Sequence, residues 1–262
     1  MITIDHSLCI GCGACVRDCP SLNLFLDSRK ANAYSDCMEC GHCAAICPEE
    51  AISIPGYDMS DMEPCPPGGF PLDAEAFLRE LKARRSIRRY KPDMIEPEKA
   101  RMLMEAIRYT ATACNRQSIR PIFVQKRLPE LKELVWSYIE KSLISAPDDV
   151  PVDIERYRDF FRRKKKNPAD DYLFRNAPAV LFFSCEYPID VGMAAQNAEH
   201  MALSLGLGAM YNGFLARISN APSIARWLET DEKTILTSML LGYPAVTYRR
   251  TAPRKSADVI WK

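Results

Sequence analysis

Eight cysteines stand in two runs of identical spacing. Cys9, Cys12, Cys15 and Cys19 precede Pro20 as C-x2-C-x2-C-x3-C-P, and Cys37, Cys40, Cys43 and Cys47 precede Pro48 in the same pattern. Such an internal duplication leaves few folds open. Three thiolates from one tight loop hold three corners of a cubane [4Fe–4S] cluster, while the fourth stands on a short helix aimed at the other cluster. The spacing thus assigns Cys9, Cys12, Cys15 and Cys47 to one cluster and Cys37, Cys40, Cys43 and Cys19 to the other. Gly11, Gly13 and Gly41 keep the loops small enough for amides to approach the inorganic sulfurs. Two other uses of cysteine compete. Disulfides need an oxidising compartment, whereas residues 1–6 lack the charged and apolar regions of a signal peptide. Zinc sites normally pair C-x2-C without a third cysteine at the same interval.

With all eight ligands and both prolines in place, residues 1–56 resemble the bacterial two-cluster ferredoxins along their whole length. Short strands are expected at 2–4, 22–26 and 51–54.

Charge divides the chain at the same place. Residues 1–64 carry 10 acidic and 3 basic side chains, a net of −7, and the remainder carries 24 acidic and 32 basic, a net of +8. A +8 balance over about two hundred residues without an aromatic-basic motif is a weak nucleic-acid footprint, so an anionic cofactor or acidic protein partner fits it better. No apolar stretch approaches the roughly 18 to 20 residues of a membrane span. The expectation is a cytoplasmic protein with no membrane and no nucleic-acid partner.

Residues 55–71 read PGYDMSDMEPCPPGGFP, whose five prolines and three glycines bar a helix or central strand. A linker is therefore expected over 57–71, between a domain at 1–56 and a second at 72–262, with Cys65 as an unligated linker thiol. In the second domain, helices are expected at 73–83, 97–109 and 191–205, the last ended by Gly206. Strands are expected at 122–125, 180–185, 207–211 and 235–242. Several of these are apolar throughout and hence read as central. The fold class is α+β: a small ferredoxin-like domain followed by a central sheet flanked by helices. Arg162 to Lys166 suit the C-terminal end of a helix stopped by Asn167-Pro168, where cations complement the dipole. Cys114 and Cys185 read as small buried hydrophobes.

Neither G-x-G-x-x-G nor G-x-x-x-x-G-K-[ST] occurs, and the three histidines, His6, His42 and His200, lack partners at catalytic spacing. What remains are polar clusters suited to a phosphate and a ring. Arg84-Arg85-Ser86-Ile87-Arg88-Arg89-Tyr90 gathers guanidinium groups and a hydroxyl, good chemistry for a phosphate dianion. Thr112 to Gln117 offers Asn and Gln amides that both donate and accept. The segments 206–214 (GLGAMYNGF) and 241–244 (LGYP), then Arg254-Lys255, complete the set.

In that order these features resemble the FMN-dependent nitroreductase family over residues 75–262. Its R-R-S-x-R-x-[FY] opening matches Arg84 to Tyr90, residues 111–119 echo its A-P-S-x-N-x-Q-P-W loop, and its G-L-G strand, G-Y-P turn and terminal R-K follow. Ser118-Ile119 replaces the family's Pro-Trp. The resemblance implies that Arg84, Ser86 and Arg88, with Arg85 in the same run and Arg254 from the tail, bind the FMN phosphate and ribityl chain. It puts Asn115 and Gln117 at the isoalloxazine edge and the backbone of Tyr211, Asn212 and Gly213 over the ring. No catalytic side chain is expected, since the flavin carries the chemistry. The resemblance further implies a homodimer with FMN at the interface. The fusion suggests that two [4Fe–4S] clusters pass electrons to FMN, which reduces a small organic acceptor such as a nitroaromatic, a quinone or an activated double bond. NAD(P)H or an acidic carrier, ferredoxin or flavodoxin, is the expected donor. Alternatives are an electron-transfer module that docks a partner enzyme, and a flavin-dependent dehalogenase or flavin-modifying enzyme.

Overall fold

A computed structural model describes residues 1–35, 37–145, 154–231 and 234–262. The chain packs as two compact units, Met1–Asp73 with Thr112–Arg116, and Ala74–Ala111 with Gln117–Lys262.

The first unit is built from loops tied by short elements. β1 (Thr3–Ile4) pairs antiparallel with β4 (Ile52–Ser53), and β2 (Leu24–Asp27) pairs with β3 (Lys30–Ala33). Only the first strand of that hairpin was expected. Leu24 and Ala31 turn inward from it into a core that also holds Cys15, Cys43, Ala44 and Ile52. α1 (Ala14–Asp18) and α2 (His42–Ala45) each start from a glycine in the left-handed region, Gly13 and Gly41. Gly11 answers a tighter demand: at φ 69°, a Cβ there would lie 2.0 Å from the Arg29 carbonyl oxygen, so hairpin and cysteine loop meet backbone to backbone. The Pro/Gly-rich stretch does contain one short helical turn, Met59–Asp61, held by the Asp58 side chain accepting from the Ser60 amide.

The second unit has a four-stranded sheet in the order β5 (Arg120–Val124), β6 (Ala179–Ser184), β8 (Ile235–Gly242) and β7 (Gly208–Tyr211), with every pair antiparallel. β6 is buried at all six positions because both sheet faces are covered. Side chains alternate along the strand. Val180 and Phe182 face a core with α5 (Leu128–Ser145), α6 (Ile154–Lys166), α8 (Gly213–Ser219) and α9 (Pro222–Trp227). Ala179, Leu181 and Phe183 face the other, with α4 (Pro97–Arg108) and α7 (Pro188–Ser204). Each large apolar side chain so buried contributes about 1.5–3 kcal/mol. Central position holds for β6 and β8, but β7 is an edge strand, its other side met by the chain around Ile87. α3 (Ala74–Ala83) differs from all of these, since none of its residues is buried. α6 ends in Arg163 to Lys166, as expected, with Arg163 paired to Asp170 at 2.9 Å and Lys165 to Glu140 at 3.1 Å.

Candidate cofactor sites

Two cavities in the first unit sort the eight cysteines. One is lined by Cys9, Cys12, Cys15 and Cys47, the other by Cys19, Cys37, Cys40 and Cys43. This is the crossed partition read from the spacing, with the last cysteine of each run serving the other's cavity. Backbone amides point at sulfur around both cavities, among them two matched pairs. Ala31 N–H donates to Cys9 Sγ at 3.4 Å and Ala51 N–H to Cys47 Sγ at 3.3 Å around the first cavity. Glu39 N–H donates to Cys37 Sγ at 3.4 Å and Asn23 N–H to Cys19 Sγ at 3.3 Å around the second. Donors so aimed suit sulfurs that carry negative charge, as cluster thiolates do. Burial pushes the Cys43 thiol up to about 11 and also raises Cys15, whereas the Ala31 amide lowers Cys9. The donor set and its cavities fit iron–sulfur clusters.

In the second unit, three segments far apart in sequence are laced together. Ile87 N–H donates to Ala209 O at 2.9 Å, Lys91 N–H to Tyr243 O at 2.8 Å, and Ala245 N–H to Arg89 O at 2.9 Å. The arginine run thus lies between the end of β7 and the turn after β8. Gly208 permits the approach, since a Cβ there would stand 2.5 Å from Ile87 Cγ1. The Tyr90 hydroxyl is buried within reach of the Ile87 and Leu240 carbonyls, at 2.7 and 3.2 Å, and burial raises its pKa.

Beside this junction opens a cleft of about 260 Å³ whose walls include Arg84, Arg85, Glu199, Gly208 and Tyr248. Arg84 Nη1 donates to Glu199 Oε1 at 3.0 Å, and the Glu199 side chain is only 3% exposed. The Arg85 guanidinium lies 5.7 Å from the Tyr248 ring centre, and among the described residues it makes no ion pair. One carboxylate against two guanidinium groups leaves the cleft one positive charge in excess, which fits a phosphate. Burial raises the pKa of the Tyr211 phenol, and the nearby Glu199 adds to the rise.

The other expected residues fall elsewhere. Ser86 is half-buried and Arg88 exposed, its Nη1 3.4 Å from Ser86 O, and neither lines the cleft. Arg254 is exposed in the tail, with its guanidinium 3.5 Å from Pro253 O. Asn212 is buried and spent on structure: Nδ2 donates to Leu173 O at 2.7 Å, Oδ1 accepts from Leu215 N–H at 3.0 Å, and its own amide donates to Ser238 O at 2.8 Å. Gly213 is the first residue of α8. Gln117 is exposed at φ 50°. Asn115 lies in the first unit, where Nδ2 donates to Met38 O and Glu39 O at 3.1 and 2.9 Å. Cys114, expected to be buried, is exposed, because the turn Ala113–Asn115 presents it to solvent. Cys185 is buried and Cys65 exposed.

Glu199 and Tyr248 were not foreseen. Glu199 had a signal, being a carboxylate set among Ala195, Ala198 and Ala202 on the buried face of α7. Tyr248 had none, standing in a tail without periodicity. His200 is structural, with Nε2 2.7 Å from Gln196 Nε2 and its ring 5.6 Å from that of Phe77.

Comparison with known proteins agrees with this division. The 4Fe-4S dicluster domain model matches residues 1–48. Among solved structures, a nitroreductase with bound FMN from Desulfitobacterium hafniense is 22% identical, with a TM-score of 0.56, over 71% of this chain and 97% of its own. A nitroreductase with bound FMN from Bacteroides fragilis is 21% identical, with a TM-score of 0.56, over 70% of this chain and 98% of its own. An FMN-dependent nitroreductase from Mycobacterium smegmatis, in complex with NADPH, is 20% identical, with a TM-score of 0.51, over 66% and 89%. At these identities the likeness is one of fold. No curated protein matches. The Nitroreductase family model matches residues 81–243, well over half of the chain, and the chain belongs to the nitroreductase family.

Proposed function

We propose that this chain is an FMN-dependent oxidoreductase that draws electrons through two [4Fe–4S] clusters and reduces a small organic acceptor, a nitroaromatic, a quinone or an activated double bond. The sorting of eight cysteines into two four-cysteine cavities, in a chain of this family, carries the reading. When bound, the clusters pass single electrons and FMN delivers them to the acceptor in pairs. The chain's own residues bind and orient. Cys9, Cys12, Cys15 and Cys47 would hold one cluster and Cys19, Cys37, Cys40 and Cys43 the other, with the amides of Ala31, Ala51, Asn23 and Glu39 steadying the thiolates. Arg85 would take the FMN phosphate, with Arg84 held in place by Glu199. Ser86, Arg88 and Arg254 would close on the phosphate and ribityl chain, and Gln117 and the backbone at Tyr211 and Gly213 would face the ring.

The cleft of about 260 Å³ falls below the roughly 300–1,000 Å³ of a pocket that encloses a small-molecule ligand. A second copy of the chain completes it in this reading. The exposed apolar side chains Phe77, Leu78 and Leu81 on α3 favour such a homodimer. NAD(P)H or an acidic carrier such as ferredoxin or flavodoxin would supply the electrons, in the cytoplasm.

Arg85→Ala is the cleaner test of the phosphate site. Removing Arg84 would strand a buried carboxylate, at a cost of about 3–5 kcal/mol, and confuse binding with stability. Losing the Arg85 contact costs about 1.5–3 kcal/mol, or about ten- to hundredfold in FMN affinity. Flavin fluorescence titration should show that loss with iron content unchanged, and wild-type affinity would remove Arg85 from the site.

A further inference from the structure

Asn115 is the one expected ring residue whose side chain the structure places beside a cysteine cavity. Its Nδ2 donates to the carbonyls of Met38 and Glu39, at 3.1 and 2.9 Å, and lies 3.5 Å from the Tyr57 hydroxyl. Met38 and Glu39 are the two residues between Cys37 and Cys40, and both line the cavity of the second quartet. Glu39 is held at three points. Its carbonyl accepts from Asn115, its N–H donates to Cys37 Sγ at 3.4 Å, and its carboxylate pairs with the Met1 ammonium. Its φ of 51° is unfavourable for a non-glycine residue, so the surroundings must enforce it. Cys114 and Asn115, at φ 53° and 52°, carry the same kind of strain, which the bonds from Nδ2 offset.

We propose that Asn115 is a positioning residue for the cluster of Cys19, Cys37, Cys40 and Cys43. By gripping two successive carbonyls it holds the Met38–Glu39 backbone in the orientation that aims the Glu39 N–H at Cys37 sulfur. An N–H directed at a cluster thiolate stabilises the more negative, reduced state and raises the reduction potential. Without the grip, that donor loosens and the potential of this cluster falls. The first cluster's loop is gripped by other side chains, Lys30 Nζ donating to Cys9 O at 2.6 Å and Arg17 Nη1 to Cys12 O at 3.2 Å, and Asn115 bonds only the second loop, so the effect of its loss belongs to one cluster. The inference rests on the two-cluster reading above, but its test separates the two.

The test is an anaerobic redox titration of the full chain, loaded with iron, sulfide and FMN and followed by electron paramagnetic resonance. Wild type is compared with Asn115→Ala and the near-isosteric Asn115→Asp, which replaces the donor with an acceptor. One of two cluster potentials should fall in both variants while the other stays, with iron and flavin content unchanged. In a Cys47→Ala background, where the cluster of the second run is the one retained, the shift should persist. If the alanine chain loads poorly, the aspartate chain gives the same reading. Unmoved potentials, or both moving together, would overturn the proposal. So would weakened flavin binding with unmoved potentials, which would return Asn115 to the ring edge. A wild-type chain holding fewer than two clusters would instead sink the reading on which it rests.

Discussion

Replacing Cys47 with alanine removes about half of the iron, and the cluster lost is the one built on the first run. Cys47 stands beyond the second run in sequence but lines the cavity of Cys9, Cys12 and Cys15. Three remaining thiolates leave one corner of the cubane open, while the second cavity keeps its four ligands. Iron analysis after anaerobic purification measures the loss, and the spectrum left in Cys47→Ala should match that of Cys12→Ala, not that of Cys40→Ala. A match to Cys40→Ala would mean that each run closes its own cluster, and the crossed partition would fall.

Stripping the iron with a chelator should unfold the first unit and leave the second intact. Among the described residues the first unit buries only eight apolar side chains, Cys15, Leu24, Ala31, Cys43, Ala44, Ala51, Ile52 and Ile54, and two of them are proposed cluster ligands. Its regular structure is two pairs of short strands with helices of four or five residues, and an isolated strand pair is marginal in water. So small a module needs a metal centre to replace the core it lacks, and the free energy of binding becomes free energy of folding. The second unit has two large apolar cores on a four-stranded sheet and owes nothing to iron. Hydrogen exchange read by mass spectrometry resolves the two. Amides of β1 to β4 should lose nearly all protection after chelation, while those of β6 and β8 keep theirs. Persistent protection in β2 and β3 without iron would show that the hairpin and its few apolar contacts suffice.

Legibility in the sequence followed the physics of each element. Cysteine spacing is a local geometric code, and the partition into quartets was readable from Cys9 to Cys47 without any knowledge of the fold. β6 was readable because the five successive apolar residues Ala179 to Phe183 need cover on both faces, though the shorter apolar run of β7 did not disclose an edge. α5 went unforeseen although Leu128, Leu131, Val135 and Ile139 form a buried helical stripe. β3, reading Lys-Ala-Asn-Ala, has no strand signal of its own and forms because β2 supplies its partner. In the cleft, the arginine run and the GLG segment were visible singly, but the hydrogen bond from Ile87 to Ala209 that joins them is long-range. Asn212 shows the opposite limit. The resemblance put its backbone over the ring and said nothing of its side chain, whose hydrogen bonds cap α8 and hold Leu173. Motifs name chemistry that a residue can do, and burial decides whether it is free to do it.

The relay from iron–sulfur clusters to flavin is tested most directly by reducing the clusters anaerobically and mixing with a quinone or nitroaromatic in a stopped-flow spectrometer. Holoprotein should be compared with protein stripped of FMN alone. Cluster absorbance should return rapidly in the holoprotein and remain bleached without flavin. Reoxidation at the same rate in both would mean that the clusters serve some other partner and that the two halves of the chain do not form one electron path.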